Sequence, residues 1–462
     1  MQRRDARVVD DGFKSFFDLF SKAKTSEAMR YFQYLLLVLS VCSPTGFADE
    51  TVPGRAQTAP IALVGATVHP IQGPAIEGAT IVFDAGKIVA VGKEVEVPAN
   101  AEVILVDGKH IYPGMFESHS QLGLKEFDSI RASIDDSEVG NINPNVQAAV
   151  ALNPDSSLLP VTRANGVLLA LSAPTGGLVS GQAAVIQMDG WTYEDLTLDA
   201  DAAMVVNWPG PAARGRRGGR GPATTPAPTT DPLAEFKKLI EDTRRYRESR
   251  AQQPDQQPID LRLEAMSKVV AREIPILAAA DALPQIESAV AFAVSQNLRL
   301  IILGGYDAAE CAELLKRHDI PVVITAVHRV PQNRSDAYDA SYTLPARLQA
   351  AGVRFCISSS GRSETWNTRN LPYHAATAVA FGLDAEQAMR SITLSPAEIY
   401  GVADRIGSLE VGKDATLIVT DGSPLEIPTQ TEMAFVQGRR IDLSSKHTRL
   451  RDKYLQKYSE PK

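Results

Sequence analysis

In the stretch "YPGMFESHSQLGL", Tyr112 to Leu124, a carboxylate, an imidazole and an amide alternate at Glu117, His119 and Gln121. On a strand, residues two apart face the same way, so these three side chains should project together. A second histidine at 121 would make a His-x-His pair able to hold a metal and activate water for attack on a carbonyl. Glutamine stands there instead. Glu117 is read either as a structural acid or as an acid–base partner of His119. Two more imidazoles follow later strand-like runs: His328 after "IPVVITAV" and His374 in "RNLPYHAATAV". If those runs are neighbours of the first, His119, His328 and His374 could form a displaced mononuclear site for one divalent metal such as zinc, or an acid–base pair. Asp336 or Asp339 of "RSDAYDASY" would be the supports. The competing reading is that His328 and His374 are hydrogen-bonded packing residues and that no metal is bound. His69, His110, His318 and His447 receive no role.

The elements that must position these residues are strands and helices in alternation. Apolar runs at "HIYPGMFESH", "GVLLALSA", "AAVIQM", "AAMVVNW", "IPILAAA", "LRLIILGG", "IPVVITAV" and "VRFCISSS" make eight strands. Their buried, non-alternating character implies a parallel sheet, and the count favours a (β/α)8 TIM-like barrel over residues 111–400. Pro284 suits a first helical turn, and Asp307 is expected to cap the helix that ends at Lys316, Arg317 and His318. Residues 59–110 and 401–441 read instead as short strands with hairpin signals, including Ala85-Gly86 at a turn. Neither segment is long enough to bury a core alone, so the two are expected to pair into a composite β-sandwich. Residues 208–232, "WPGPAARGRRGGRGPATTPAPTTDP", cannot pack a core and read as a disordered insertion. The helix that follows carries Leu233, Phe236, Leu239 and Ile240 on one face and should lie against the barrel. The Gly pair in "APTGGLVSGQAA" is read as a structural or substrate-shaping turn, with Gln182 as the side chain that would reach a ligand.

Bulk composition narrows the function classes. With 47 basic against 55 acidic residues and a net charge of −8, there is no broad cationic field for nucleic acid. Met29 to Ala48, "MRYFQYLLLVLSVCSPTGFA", has the charge, apolar run and small residues of a secretory signal, and its apolar run is too short for a stable membrane anchor. A periplasmic or secreted protein is expected, and residues 1–28 read as a non-native N-terminal extension from a mis-assigned start. Beyond the signal, Cys311 and Cys356 remain, expected to be small buried hydrophobes rather than a bridge.

"GKHIYPGMFESHSQ", "ALVGATVHP" with "GKIVAVG", and "LSPAEIYGVADRIGSLEVGKDATLIVTDGSPLE" together resemble the amidohydrolase superfamily, in its imidazolonepropionase and prolidase-like branch, over about residues 60–440. The resemblance implies a metal-dependent hydrolase barrel with a composite β domain and hydrolysis of carbon–nitrogen, non-peptide bonds in small molecules. Carried over by residue, His119 matches the first ligand. Gln121, Ala279 and Gly304 stand where further histidines belong, and Ser359 stands where an aspartate serves as ligand and base. Glu117, His119 and Ser359 are then the catalytic candidates, with Gln121, Gln182, Arg362, Trp366 and Asn370 lining a substrate pocket. Two readings stay open: a hydrolase with an altered or depleted metal centre, and an inactive relative that binds a small molecule or a protein partner. Self-association into a homo-oligomer is compatible with both.

Overall fold

The structure, a computed structural model, describes residues 52–210, 231–253, 258–361 and 364–459. The expected N-terminal extension, the signal segment, residues 211–230 of the insertion and Arg362 lie outside the described residues.

Five strands come first: β1 (Ile61–Val68), β2 (Ile76–Asp84), β3 (Lys87–Gly92), β4 (Glu102–Leu105) and β5 (His110–Pro113). The β2–β3 hairpin turns on Ala85 and Gly86, both at positive φ, as a tight two-residue turn requires. Eight further strands form a second sheet: β6 (Met115–Ser120), β7 (Val167–Ser172), β8 (Val179–Gln187), β9 (Thr197–Asn207), β10 (Ile276–Ala280), β11 (Leu300–Gly304), β12 (Val322–Thr325) and β13 (Phe355–Ser358). Near the chain end, β14 (Leu417–Thr420), β15 (Thr431–Val436) and β16 (Arg439–Arg440) join the first sheet, whose order is β16-β15-β14-β5-β1-β2-β3 with β4 beside β1. The antiparallel β5–β14 pair therefore joins the two ends of the chain. Phe83 and Phe435, one from each end, meet edge to face at 5.0 Å in its core.

The second sheet holds its strands in chain order and wraps into a TIM-like barrel filled by Phe116, Leu171, Val205, Leu277, Leu303 and Val323. Its third strand departs from the expected parallel arrangement, because β8 runs antiparallel to both β7 and β9. The short Ala173–Leu178 connection explains this: a parallel crossover needs about a dozen residues or more. Gly176 and Gly177 make the turn at positive φ, and a Cβ on Gly177 would lie 2.8 Å from the Asn141 carbonyl, so the glycine pair is a packed turn. With no crossover helix here, the outer faces of β7 and β8 are covered by Leu122, Leu124, Leu152, Leu158 and Leu159 from the long β6–β7 connection.

Helices cover the rest. In Leu283–Gln296, buried Ile286, Ala289, Val290 and Ala293 form one stripe, Pro284 sits in the first turn, and left-handed Asn297 ends the helix. Asp307 does not cap its own helix; its carboxylate accepts the Leu283 N–H at 3.0 Å and caps the neighbouring one. Phe236, Leu239 and Ile240 of Pro232–Gln252 are buried as expected, and Trp208 packs edge to face on Phe236 and Phe292. Cys311 and Cys356 are free and buried.

Between β13 and β6 no backbone ladder closes the barrel. Side chains bridge the seam: Ser118 Oγ donates to the Ile357 carbonyl and Ser358 Oγ to the His119 carbonyl, both at 3.2 Å. One buried carboxylate ties the barrel to the other sheet. Asp189, after β8, accepts from Arg439 Nε of β16 and from the Gly54 N–H at 3.2 Å, with Arg163 Nη1 at 3.5 Å. Removing one partner of such a buried charge network leaves the others desolvated and uncompensated. Asp189→Ala is therefore expected to cost about 3–5 kcal/mol of unfolding free energy. Urea denaturation checks this, and a loss below about 1 kcal/mol, the ceiling for a surface pair, would show that the carboxylate does not hold the two sheets together.

Candidate active site at the barrel mouth

The C-terminal ends of β6, β10, β11, β12 and β13 open at one end of the barrel, the end where such barrels hold their chemistry. Glu117 is fully buried on β6 and spans the seam. Its Oε2 accepts the Ser359 N–H at 2.9 Å and a very short bond from the Ser359 hydroxyl, while Oε1 accepts the His119 N–H at 3.2 Å. Burial pushes the Glu117 carboxyl above its ordinary range, and the bonds from Ser358, Ser359 and His119 only partly oppose this. His119 is half-buried, and its Nδ1 lies 3.2 Å from Ser360 Oγ, which in turn is 2.8 Å from Ser358 Oγ. Burial lowers the imidazole to about 4, so it is neutral at physiological pH. Beneath lie Cys356, its thiol pushed up to about 12 by burial, and Tyr400, whose hydroxyl donates to the Ser118 carbonyl at 2.7 Å. A thiol held that far up supplies no thiolate nucleophile.

The sequence candidates divide. Glu117, His119 and Ser359 come together across the seam, and Gln121 is buried one step beyond. Gln182 does not reach the mouth: it is buried, and its amide donates to the Pro144 carbonyl at 3.1 Å in the layer outside β8. Trp366 packs against that same outer layer, with Lys125 Nζ 5.7 Å from its ring centre, and Asn370 begins the helix Leu371–Ala380.

The three-histidine cluster does not form. His328 and His374 stack on each other at 4.1 Å on the outer side of the wall, where the His328 N–H donates to His374 Nδ1 and His328 Nε2 meets Thr377 Oγ1 at 2.6 Å. Burial, then the neighbouring His328, lowers His374 to about 3. Asp336 serves Tyr306 and Asn333 rather than a histidine. Among the described residues, no three His, Cys, Asp or Glu side chains are grouped to hold a metal ion. The helix Leu371–Ala380 carries His374 because its buried stripe, Leu371, Ala375 and Ala378, faces the outside of the barrel, which sequence spacing cannot distinguish from the mouth.

A polar group that sequence reasoning missed completes the mouth. The Arg329 guanidinium lies 4.8 Å from the centre of the Tyr306 ring, donates through Nη1 to Thr325 Oγ1 at 3.1 Å and pairs with Asp281 at 3.1 Å. Asp281 also accepts the Tyr306 N–H and the Gln332 amide. Thr325 is in register with Ser358, so an arc of polar groups runs from His119 through the β13 serines to Arg329 and Asp281. The signal was present in "AADAL" and "AVHRV", an acid and a base just past two strand ends. Gly304 belongs to the arc by its emptiness: it sits at φ +102, and a Cβ there would lie 2.6 Å from the Asp281 carboxylate.

A model of the Amidohydrolase family matches residues 300–442. Amidohydrolase tasK of Hapsidospora irregularis is 22% identical over 399 residues, covering 77% of this chain but 39% of its own, so the chain spans well under half of that relative. The crystal structure of an amidohydrolase from Thermotoga maritima MSB8 superposes with a TM-score of 0.72 at 25% identity, over 82% of this chain and 99% of that one. Molinate hydrolase shares the fold alone, at a TM-score of 0.53 and 15% identity over 85% and 95% of the two chains. Barrel, two-ended sheet and the family match over residues 300–442 agree in their likeness to the amidohydrolase superfamily.

Proposed function

We propose that this chain is a hydrolase-type member of the superfamily in which a hydrogen-bonded wall replaces the metal centre, leaving the mouth to bind a small organic molecule. The observation that carries this reading is the tie of Glu117 to Ser359, with His119 bound to Ser360, so that the acid and the imidazole at the end of β6 are both engaged by the residues just past β13. The filled space beside Gly304 supports it, since a side chain there would displace the Asp281–Arg329 pair. The family's metal would supply Lewis-acid activation of water, but the donors do not fit it. One imidazole, the neutral Gln121 amide and the Ser359 hydroxyl fall short of the roughly four N, S or O ligands that zinc takes. Recognition would rest on Arg329, whose fork is fixed by Tyr306, Thr325 and Asp281 and suits a carboxylate or an amide carbonyl. On the sequence of Met29 to Ala48 we also propose that the chain is exported, and we assign it neither a nucleic-acid partner nor a stable membrane anchor.

The 3.2 Å contact between His119 Nδ1 and Ser360 Oγ favours a second reading, metal-free hydrolysis with Ser360 as nucleophile and His119 as base. An imidazole lowered to about 4 is a weak base for that task, because a general base works best with a pKa near the operating pH. A carbon–nitrogen hydrolysis abolished by both Ser360→Ala and His119→Ala, in metal-free protein, would install this reading in place of the first.

Two measurements test the proposal. Elemental analysis of the full chain, purified without chelators from cells given zinc, manganese or iron, is expected to find far less than one metal per chain and no change in His119→Ala. A stoichiometric metal that disappears in His119→Ala would overturn the replaced centre. The second concerns Glu117, whose carboxyl titrates higher in the native barrel than in the unfolded chain, near 4.5. Its contribution to stability is full below that value and drains as pH rises through the native pKa, by up to about 1.4 kcal/mol per pH unit. Glu117→Gln should thus gain on the wild type in denaturation series run from pH 4.5 toward neutrality. Parallel curves would mean that Glu117 is ionised in the wall.

A further inference from the structure

At the opposite end of the barrel from His119, the residues leading into β10, β11, β12 and β13 enclose a cavity of about 420 Å³. Arg272, Arg299 and Arg354 line it, with His318, over an apolar floor that includes Leu298 and Ile320. Each arginine stands just ahead of a different strand, so the parallel order of the sheet brings together three guanidinium groups far apart in sequence. This concentration of positive charge occurs in a chain whose net charge is −8.

The hydrogen bonds of these arginines within the described residues occupy only some of their guanidinium nitrogens. Arg272 Nη1 donates to Asn297 Oδ1 at 2.7 Å, and Arg299 Nη1 donates to the Glu273 carbonyl at 2.9 Å. Neither has a carboxylate partner among the described residues. Arg354 donates to Asp319 at 2.8 Å, but that carboxylate is 80% exposed and the pair is screened by water. Glu398, the other acid on the wall, is paired with Arg390 at 2.6 Å. Burial, together with repulsion from Arg272 and Arg354, lowers the pKa of Arg299, and a bound anion would relieve that repulsion. A neighbouring hollow of about 280 Å³ shares Arg354, Glu398 and Ile399 and adds Gln349, Gln387 and Ser395, leaving room for a polar body beyond a charged head.

We propose that this basal cavity is a binding site for a small organic oxyanion, a molecule bearing phosphate or carboxylate groups, separate from the mouth. The planar forks of Arg272, Arg299 and Arg354 match the paired oxygens of either group, and the volume falls within the range of about 300–1,000 Å³ usual for small-molecule sites. The packed interior layer of Leu277, Ile301 and Val323 lies between the cavity and His119, so an occupant here would leave the mouth open.

Isothermal titration of the full chain with sodium pyrophosphate and, separately, with citrate, at constant ionic strength, tests the assignment. A saturable site is expected that survives Arg329→Met at the mouth and is weakened at least about tenfold by Arg299→Lys, which keeps the charge but loses the fork, and by Arg272→Glu at an exposed position. His119→Ala should bind as the wild type does. Tighter pyrophosphate would assign the head to phosphate, and tighter citrate to carboxylate. Arg272→Glu keeps the test valid if Arg299→Lys fails to fold. Heats that do not saturate, or an affinity unchanged in Arg272→Glu, would overturn the proposal. So would self-association that Arg272→Glu abolishes without any probe binding, which would give the cavity to a second copy of the chain.

Discussion

A buried carboxyl group must find partners or lose several kcal/mol, and Glu117 finds them only if β13 lies against β6. The Ser359 N–H and hydroxyl reach it from one side of the seam and the His119 N–H from its own strand. The backbone ladder stops at β13, so these side-chain bonds, with those of Ser118 and Ser358, hold the first and last strands together. The same bonds occupy the groups at the end of β6 that would otherwise face a substrate. Wall and site compete here for the same atoms, and in this chain the wall has them.

The position of that strand is fixed from the other sheet. β5 runs into β6 through Gly114, whose N–H donates to the Thr416 carbonyl at 3.0 Å, while the Met115 N–H donates to Gly166 at 3.0 Å. A Cβ on Gly114 would lie 2.9 Å from the Leu168 side chain, so only glycine lets the chain pass from one sheet to the other here. With β5 in register with β14, the two chain ends and the first barrel strand form one mechanical unit, and Asp189 fastens the far side through Arg439.

Charge is arranged to differ between the two ends of the barrel. At the mouth Arg329 is held by Asp281, giving a fixed and partly neutralised cation beside the neutral His119. At the base Arg272 and Arg299 share a concave wall without a carboxylate partner among the described residues. Field lines focus in clefts lined by one sign of charge, so the base attracts small anions even though the chain as a whole is acidic.

The eight barrel strands, the flanking two-ended sheet and the likeness to the superfamily were legible in the sequence because each rests on local signals: apolar runs, turn residues at set offsets and motif strings near both ends. The pairing of Glu117 with His119 was legible for the same reason, since a period of two is a property of one strand. What only the tertiary structure decided depends on contacts between segments distant in sequence. The direction of β8 follows from a short connection whose sense becomes visible once β7 and β9 are in place. The outward placement of His328 and His374 depends on which face of a helix the barrel buries, and the seam bonds of Ser359 and Ser360 depend on β13 meeting β6. Spacing along a chain reports which side chains share a face; it does not report what stands opposite that face. For that reason the sequence identified the strand that carries the chemistry, and the packed structure decided that its groups bond to the wall.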